Sequence, residues 1–264
     1  MIRLLNSWRR ERLRTLPLPA EWERHIERNL SFFHQLPARD RRELFGHTQV
    51  LLAEKHFEPC DGLALTDEIR VTIAAYAAML LLHRETDYYS RLTSILVYPT
   101  AYIVEGERYR GDGIWEDEPA VRLGQTGARL GAVVVAWEDV PCGSAAGADG
   151  HNVVLHEFAH QLDFDDGATN GTPLLEPPLR EDWARIFAAE FAELERALVA
   201  GEPTFLRPYA AKNPAEFFAV ATELFFHSPD RFRQRHTTLY ELLAAFYRQD
   251  PAAWSSSSPS RPAT

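Results

Sequence analysis

From Pro19 to Glu54, apolar residues recur at three- and four-residue spacing, the period of a helix with one buried face. Trp22, Ile26, Leu30 and Phe33 make one stripe, and Leu44, Val50 and Leu51 belong to another; Pro37 lies between them, so the pattern predicts two amphipathic helices. Thr66 followed by Asp67 and Glu68 is a helix start, an N-cap oxygen and then acids at the positive end of the dipole. That helix is expected to run through Ile69, Ile73, Ala77 and Leu80. Its apolar run, Val71 to Leu82, is too short to span a bilayer and reads as a buried helix. The period then changes. Ser94 to Tyr98 (SILVY), closed by Pro99, reads as a strand, as do Tyr102 to Val104 and Gly131 to Trp137 (GAVVVAW). Residues 105–120 are polar and glycine-bearing, a loop or hairpin, and Cys142 to Gly150 is a loop of small residues.

Helical patterning returns over Asn152 to Leu162. After a loop from Asp163 to Pro178 comes a long helix, Arg180 to Val199, ended by Gly201 and Pro203. Pro214 suits the first turn of a helix over Ala215 to Phe226, with Asn213 as its N-cap, and a last helix is expected over Thr238 to Gln249. Helices, then a few strands, then helices predict an α+β fold without internal repeats. One domain is expected over 15–252: a helical part at about 19–90, strands at about 93–137 and active-site helices over 151–250. The arginine-rich segment 1–14 reads as a solvated surface stretch, the alternative being a docking arm for an acidic partner. The serine-rich end, 253–264, reads as a disordered tail.

Composition narrows the function classes. In 264 residues, 45% hydrophobic, there is material for a sizeable core. A formal net charge of −10 argues against direct nucleic-acid binding, which needs a basic face. The two cysteines, Cys60 and Cys142, make neither a disulfide framework nor a cysteine metal cluster. The N-terminus has no apolar run of signal-peptide length, so a cytoplasmic protein without membrane attachment is expected.

His156, Glu157, Phe158, Ala159 and His160 form HExxH. Residues four apart share a helix face, so both imidazoles can reach one metal ion. Glu157, about a hundred degrees round the helix, can hold a water beside the metal and take its proton. Chance would place HExxH somewhere in such a chain only about three times in a hundred. Val153, Val154, Leu155, Phe158, Ala159 and Leu162 make the helix apolar on most sides, so its histidines are buried and need partners. A catalytic zinc takes a third protein ligand and keeps an open position. No third histidine stands at metzincin spacing. Among downstream carboxylates, Glu216, in a first helical turn beside Phe217 and Phe218, ranks above Glu223, and Glu190, Glu193 and Glu195 read as a solvated face. Asp163 could accept the free ring N–H of a ligand histidine, or simply be a helix-end residue in a turn.

HEFAHQLD with its following DG loop, then PYAAKNPAEFFAVATELFF, resembles the Mlc titration factor A family of bacterial zinc peptidases. GLALTDEIRVTIAAYAAMLL, ILVYPTAYIV and GAVVVAW extend the resemblance over most of the chain. It implies a zincin-like metallopeptidase fold with a small mixed sheet and an HExxH active-site helix. It also implies a gluzincin-like site: one zinc ion held by His156, His160 and Glu216, with Glu157 as base. Tyr209 stands seven residues before Glu216. In similar peptidases, including the anthrax lethal factor-like catalytic domain, a tyrosine so placed stabilises the oxyanion. The strand over Val133 to Trp137 is expected beside the cleft, pairing with an extended peptide substrate. No histidine occurs between His83 and His151, so none from that stretch can be a fourth ligand. The resemblance implies aminopeptidase-like action on short peptides, and a link to a cytoplasmic transcriptional repressor of sugar-uptake genes. The competing reading is a non-catalytic protein that sequesters such a repressor.

Overall fold

A computed structural model of the chain describes residues 2–100, 103–104, 107–110, 114–117, 131–140, 142 and 151–254. Helix α1 (Ile2–Thr15) is followed by α2 (Ala20–Asn29) and α3 (Ala38–Glu54), the pair that the stripes on either side of Pro37 predict. Helix α4 (Asp67–Met79) begins where expected, with the Thr66 hydroxyl accepting from the Ile69 amide at 3.3 Å. It is apolar on every side because it is the middle of the core: Val71, Ile73, Tyr76 and Met79 are all fully buried. α2 and α3 pack on one side of it and the HExxH helix on another.

Strands β1 (His56–Pro59), β2 (Ser94–Tyr98) and β6 (Ala132–Ala136) form a sheet in the order β1-β2-β6. All three run parallel, with Phe57 opposite Ile95 and Ile95 opposite Val133. Ile95, Val97, Val133 and Val135 are buried while Ser94, Leu96, Tyr98, Ala132 and Val134 are partly open, the alternation of a sheet covered chiefly on one face. A second sheet, β3 (Ile103–Val104), β4 (Glu107–Arg110) and β5 (Ile114–Asp117), is antiparallel. The mixed sheet expected from sequence is thus two separate sheets among the described residues, one parallel and one antiparallel. The polar stretch 105–120 contributes β4 and β5; Tyr102, the rest of that stretch and residues 143–150 lie outside the described residues.

The second half is helical: α5 (Val153–Asp163), α6 (Arg180–Val199), α7 (Pro214–His227), α8 (Pro229–Arg235), α9 (Thr237–Tyr247) and α10 (Pro251–Trp254). Trp183 of α6 stacks on Phe187 at 4.3 Å and meets Phe218 and Phe246 edge-on, joining α6, α7 and α9 through aromatic contacts. Sequence patterning missed α8, whose seven residues carry one buried anchor, Phe232. The last helix ends earlier than expected, at Tyr247, where Arg248 turns left-handed with φ 54°. Ala253 and Trp254, expected in the tail, belong to α10, and Trp254 is buried against Phe32 and Phe226. The tail reading from 255 onward lies outside the described residues.

The arginine-rich start is neither a free arm nor only a solvated stretch. α1 lies on α3, and Arg10 donates to both Glu54 carboxylate oxygens at 2.9 and 2.8 Å. The fork is aligned as a bidentate pair. Gly46 permits the approach: a Cβ there would stand 3.0 Å from the Arg14 carbonyl oxygen. No helix among the described residues is long and apolar enough to cross a membrane.

Candidate metal centre

Helix α5 is started by Asn152, whose side-chain oxygen accepts from the Leu155 amide at 3.0 Å. Its apolar residues Val154, Leu155, Phe158 and Ala159 are fully buried, and Phe158 meets the Tyr89 ring edge-on at 4.9 Å. That packing fixes the helix rotation. His156 and His160, one turn apart, therefore face α7.

Helix α7 brings the third group. Asn213 caps it by accepting from the Glu216 amide at 3.0 Å, and Pro214 occupies its first turn. Phe217 and Phe218 are buried and set the rotation, so Glu216 in the first turn points at the two histidines. His156 Nε2 lies 3.1 Å from Glu216 Oε2, His160 Nε2 lies 3.3 Å from the same oxygen, and the two Nε2 atoms are 3.2 Å apart. These are the edges of a nearly equilateral triangle. A tetrahedral ion with bonds of about 2.0–2.1 Å requires edges of about 3.3 Å, so the three donors fit such an ion. Among the described residues, His156, His160 and Glu216 are the one group of histidine, cysteine or acidic side chains converging in this way.

The back of the site explains why the triangle asks for a cation. His156 Nδ1 lies 2.7 Å from Glu223 Oε1. With its proton there, the neutral ring turns a lone pair toward Glu216 and His160, placing acceptor against acceptor. Glu223 is fully buried; its other oxygen accepts from the Asn152 amide at 2.7 Å, and Arg207 donates to Oε1. One carboxylate thus ties together the α5 N-terminus, the ring of His156 and the turn before α7. Burial opposes its charge, but Arg207 and His156 prevail and hold Glu223 down at about 2. Burial opposes a charged His156, yet Glu216 and Glu223 raise its pKa to about 10. Glu216 is likewise held well below the usual carboxylate range, burial being outweighed by His160 and His156.

Glu157 is half-buried, enclosed on most sides but reached by solvent. Burial raises its pKa, and the flanking His156 and His160 offset only part of that. Tyr209 is carried by the 3-10 turn Pro208–Lys212, with its ring centroid 6.1 Å from that of His156. Burial and the neighbouring Glu216 carboxylate push its phenol well up, so it stays protonated and able to donate.

The structure therefore brings His156, Glu157, His160, Tyr209 and Glu216 together. Glu223, second-ranked as a ligand from sequence, stands behind His156 instead. Asp163, considered as acceptor for the free ring N–H of a ligand histidine, hydrogen-bonds to neither ring; Glu223 takes that place at His156. Asp163 is fully buried and accepts from the Gly171 amide at 2.8 Å, while its Oδ1 and His160 Nδ1 are both buried and unpartnered among the described residues. Of the acidic helix, Glu193 pairs with Arg196 on the surface as expected, whereas Glu190 accepts from His236 Nδ1 at 2.7 Å. Sequence reasoning missed Arg207 altogether. The available signal was Glu223 itself, a lone acid inside the apolar run AVATELFF, which implies a buried donor.

The family profile of the glucose-regulated metallo-peptidase M90 matches residues 5–248. An uncharacterized protein of Synechocystis sp. (strain PCC 6803) is 40% identical over 248 residues, covering 93% of this chain and 90% of the relative. Mlc titration factor A of Serratia proteamaculans is 31% identical, covering 89% of this chain and 88% of that protein. Its counterpart in Yersinia pestis is 30% identical, with 89% and 86% covered.

Proposed function

Since the chain belongs to the glucose-regulated metallo-peptidase M90 family, we propose that it is a zinc peptidase with a zincin-like fold, His156, His160 and Glu216 holding the ion. The near-equilateral triangle of donors, 3.1 to 3.3 Å on each edge, carries this reading. When bound, zinc supplies Lewis-acid chemistry, making water acidic near pH 7 and polarising a peptide carbonyl. The chain's own residues do the rest. Glu157, ionisable, half-buried and beside both histidines, takes the proton of the attacking water and passes it to the leaving amine. Tyr209, kept protonated, donates to the oxygen on which charge develops. Glu223 and Arg207 hold His156 in the tautomer that turns its lone pair inward. Strand β6 is the edge of its sheet among the described residues and offers backbone groups to an extended peptide.

We read the substrates as short peptides cleaved from their N-termini. The experiment is hydrolysis of a panel of alanyl and short-peptide chromogenic substrates by the wild type, with and without chelator, beside Glu157→Gln with its metal content measured. Cleavage that chelator stops, and that the variant loses while keeping its metal, supports the mechanism. A metal-loaded wild type that cannot be told from the variant across the panel refutes it. That outcome would turn attention to the sequestering role suggested by the name of its relatives, Mlc titration factor A.

A further inference from the structure

His160 Nδ1 and Asp163 Oδ1 are both sealed from solvent, and neither has a hydrogen-bond partner among the described residues. The two side chains stand three residues apart on α5, the spacing that puts them on one helical face. His160 turns Nε2 toward His156 and Glu216, at 3.2 and 3.3 Å. A neutral ring that keeps its lone pair there carries its proton on Nδ1. That N–H faces no protein acceptor, and Asp163 Oδ1 is an acceptor that no protein group fills. Each is costly when left unmade, whereas one water shared between them satisfies both.

Asp163 does not reach the ring itself because it is held from the other side. Its Oδ2 accepts from the Gly171 amide at 2.8 Å, and the amides of Asn170 and Thr172 also favour its charge. Burial raises its pKa, and the His160 ring is among the groups opposing that shift, so ring and carboxylate lie within electrostatic reach. The loop that grips Asp163 is fixed in turn. The Gly171 carbonyl accepts from Trp183 Nε1 at 3.0 Å. Gly171 also lies so close to α7 that a Cβ would stand 2.3 Å from the Pro214 carbonyl oxygen. One loop thus abuts the start of the helix carrying Glu216 and holds the carboxylate beside His160.

Given the metal centre proposed above, we propose that Asp163 is the positioning residue of His160, acting through one buried water that accepts from Nδ1–H and donates to Oδ1. Glu223 orients His156 by direct contact at 2.7 Å, and Asp163 orients His160 at one water's remove. The carboxylate polarises the water, which strengthens the bond from Nδ1–H and makes Nε2 the better electron donor. Both histidines of the triangle then have their tautomer fixed by a buried acid, one on α7 and one at the end of α5.

The test does not depend on hydrolysis. Crystals of the full-length protein, zinc-loaded and metal-free, should show a water within about 3 Å of both His160 Nδ1 and Asp163 Oδ1. No water there, or Nδ1 bonded to another acceptor, would overturn the proposal. Asp163→Asn keeps an oxygen for the Gly171 amide and removes the charge. Its zinc affinity, read by competition with a chromophoric chelator, should fall about tenfold or more. In proton–nitrogen correlation spectra of the zinc-loaded protein, the His160 Nδ1 signal should move in the variant while that of His156 stays, a change that a merely structural role would not produce. Zinc affinity within about threefold of the wild type, or an unmoved His160 signal, would overturn the proposal. If Asp163→Asn does not fold, the wild-type crystals decide. A wild type that takes up no zinc would defeat the metal reading by itself, and the metal-free crystal would then decide the bridge.

Discussion

Replacing Glu223 with glutamine tests the architecture behind the metal centre. The side chain is fully buried and has three polar neighbours: the His156 ring, Arg207 and the Asn152 amide. Glutamine keeps the shape and loses the charge, leaving the Arg207 guanidinium facing a neutral amide. The depression of this carboxylate from 4.5 to about 2 corresponds to about 3 kcal/mol in the metal-free protein. Breaking a buried ion pair by removing one partner costs about 3–5 kcal/mol, so the two routes agree. For a domain of this size, that is a fall in Tm of roughly 6–12 °C. The sign with pH follows. A carboxylate depressed in the folded state contributes fully above its unfolded value, and the contribution fades as pH falls from about 4.5 toward 2. Wild type and variant should thus differ most near neutrality and converge in acid, as read by denaturant titrations of chelated protein at several pH values. Zinc affinity, read by competition with a chromophoric chelator, should drop about 10- to 100-fold as His156 loses its orienting acceptor. A stability difference that does not vary with pH, or zinc affinity unchanged within about threefold, would refute the account.

Three other outcomes follow from the geometry. Gly171→Ala should destabilise by about 3–5 kcal/mol and lower metal content, because its φ is 77° and a Cβ would stand 2.3 Å from the Pro214 carbonyl oxygen at the start of α7; thermal melts and metal analysis read both. Tyr209→Phe should bind zinc as the wild type does but lose roughly 2–4 kcal/mol of transition-state stabilisation, seen in kcat/KM with metal occupancy as the control. Lys55, buried and donating to the Tyr89 and Leu92 carbonyls at 2.7 and 2.8 Å, is pushed down to about 8 by burial. Its ammonium is disfavoured in the folded state, so stability relative to Lys55→Met should be flat below pH 8 and rise between about 8 and 10.5, by about 3 kcal/mol at most; a decline over that range in denaturant titrations would contradict it.

Much of the centre was legible along the chain because its parts are local. HExxH puts two imidazoles on one helical face by the 3.6-residue period alone, and Asn213 with Pro214 marks a helix start through contacts spanning three residues. The proposed ligand Glu216 was reachable because its place in that first turn follows from the same cap. The α4 start at Thr66 and the strands around Ile95 and Val133 were visible for the same reason. Other features depended on residues far apart in sequence. Glu216 and Glu223 are both acids on α7, and only the packing of α7 on α5 sends one to the donor triangle and the other behind His156, across separations of 60 and 67 residues. The same holds for Arg207 on Glu223, for α1 on Glu54, and for the parallel register of β1, β2 and β6. Periodicity reports which face of an element is buried but not what it is buried against. That choice belongs to the shared core, where side-chain volume and the pairing of buried charges admit one arrangement.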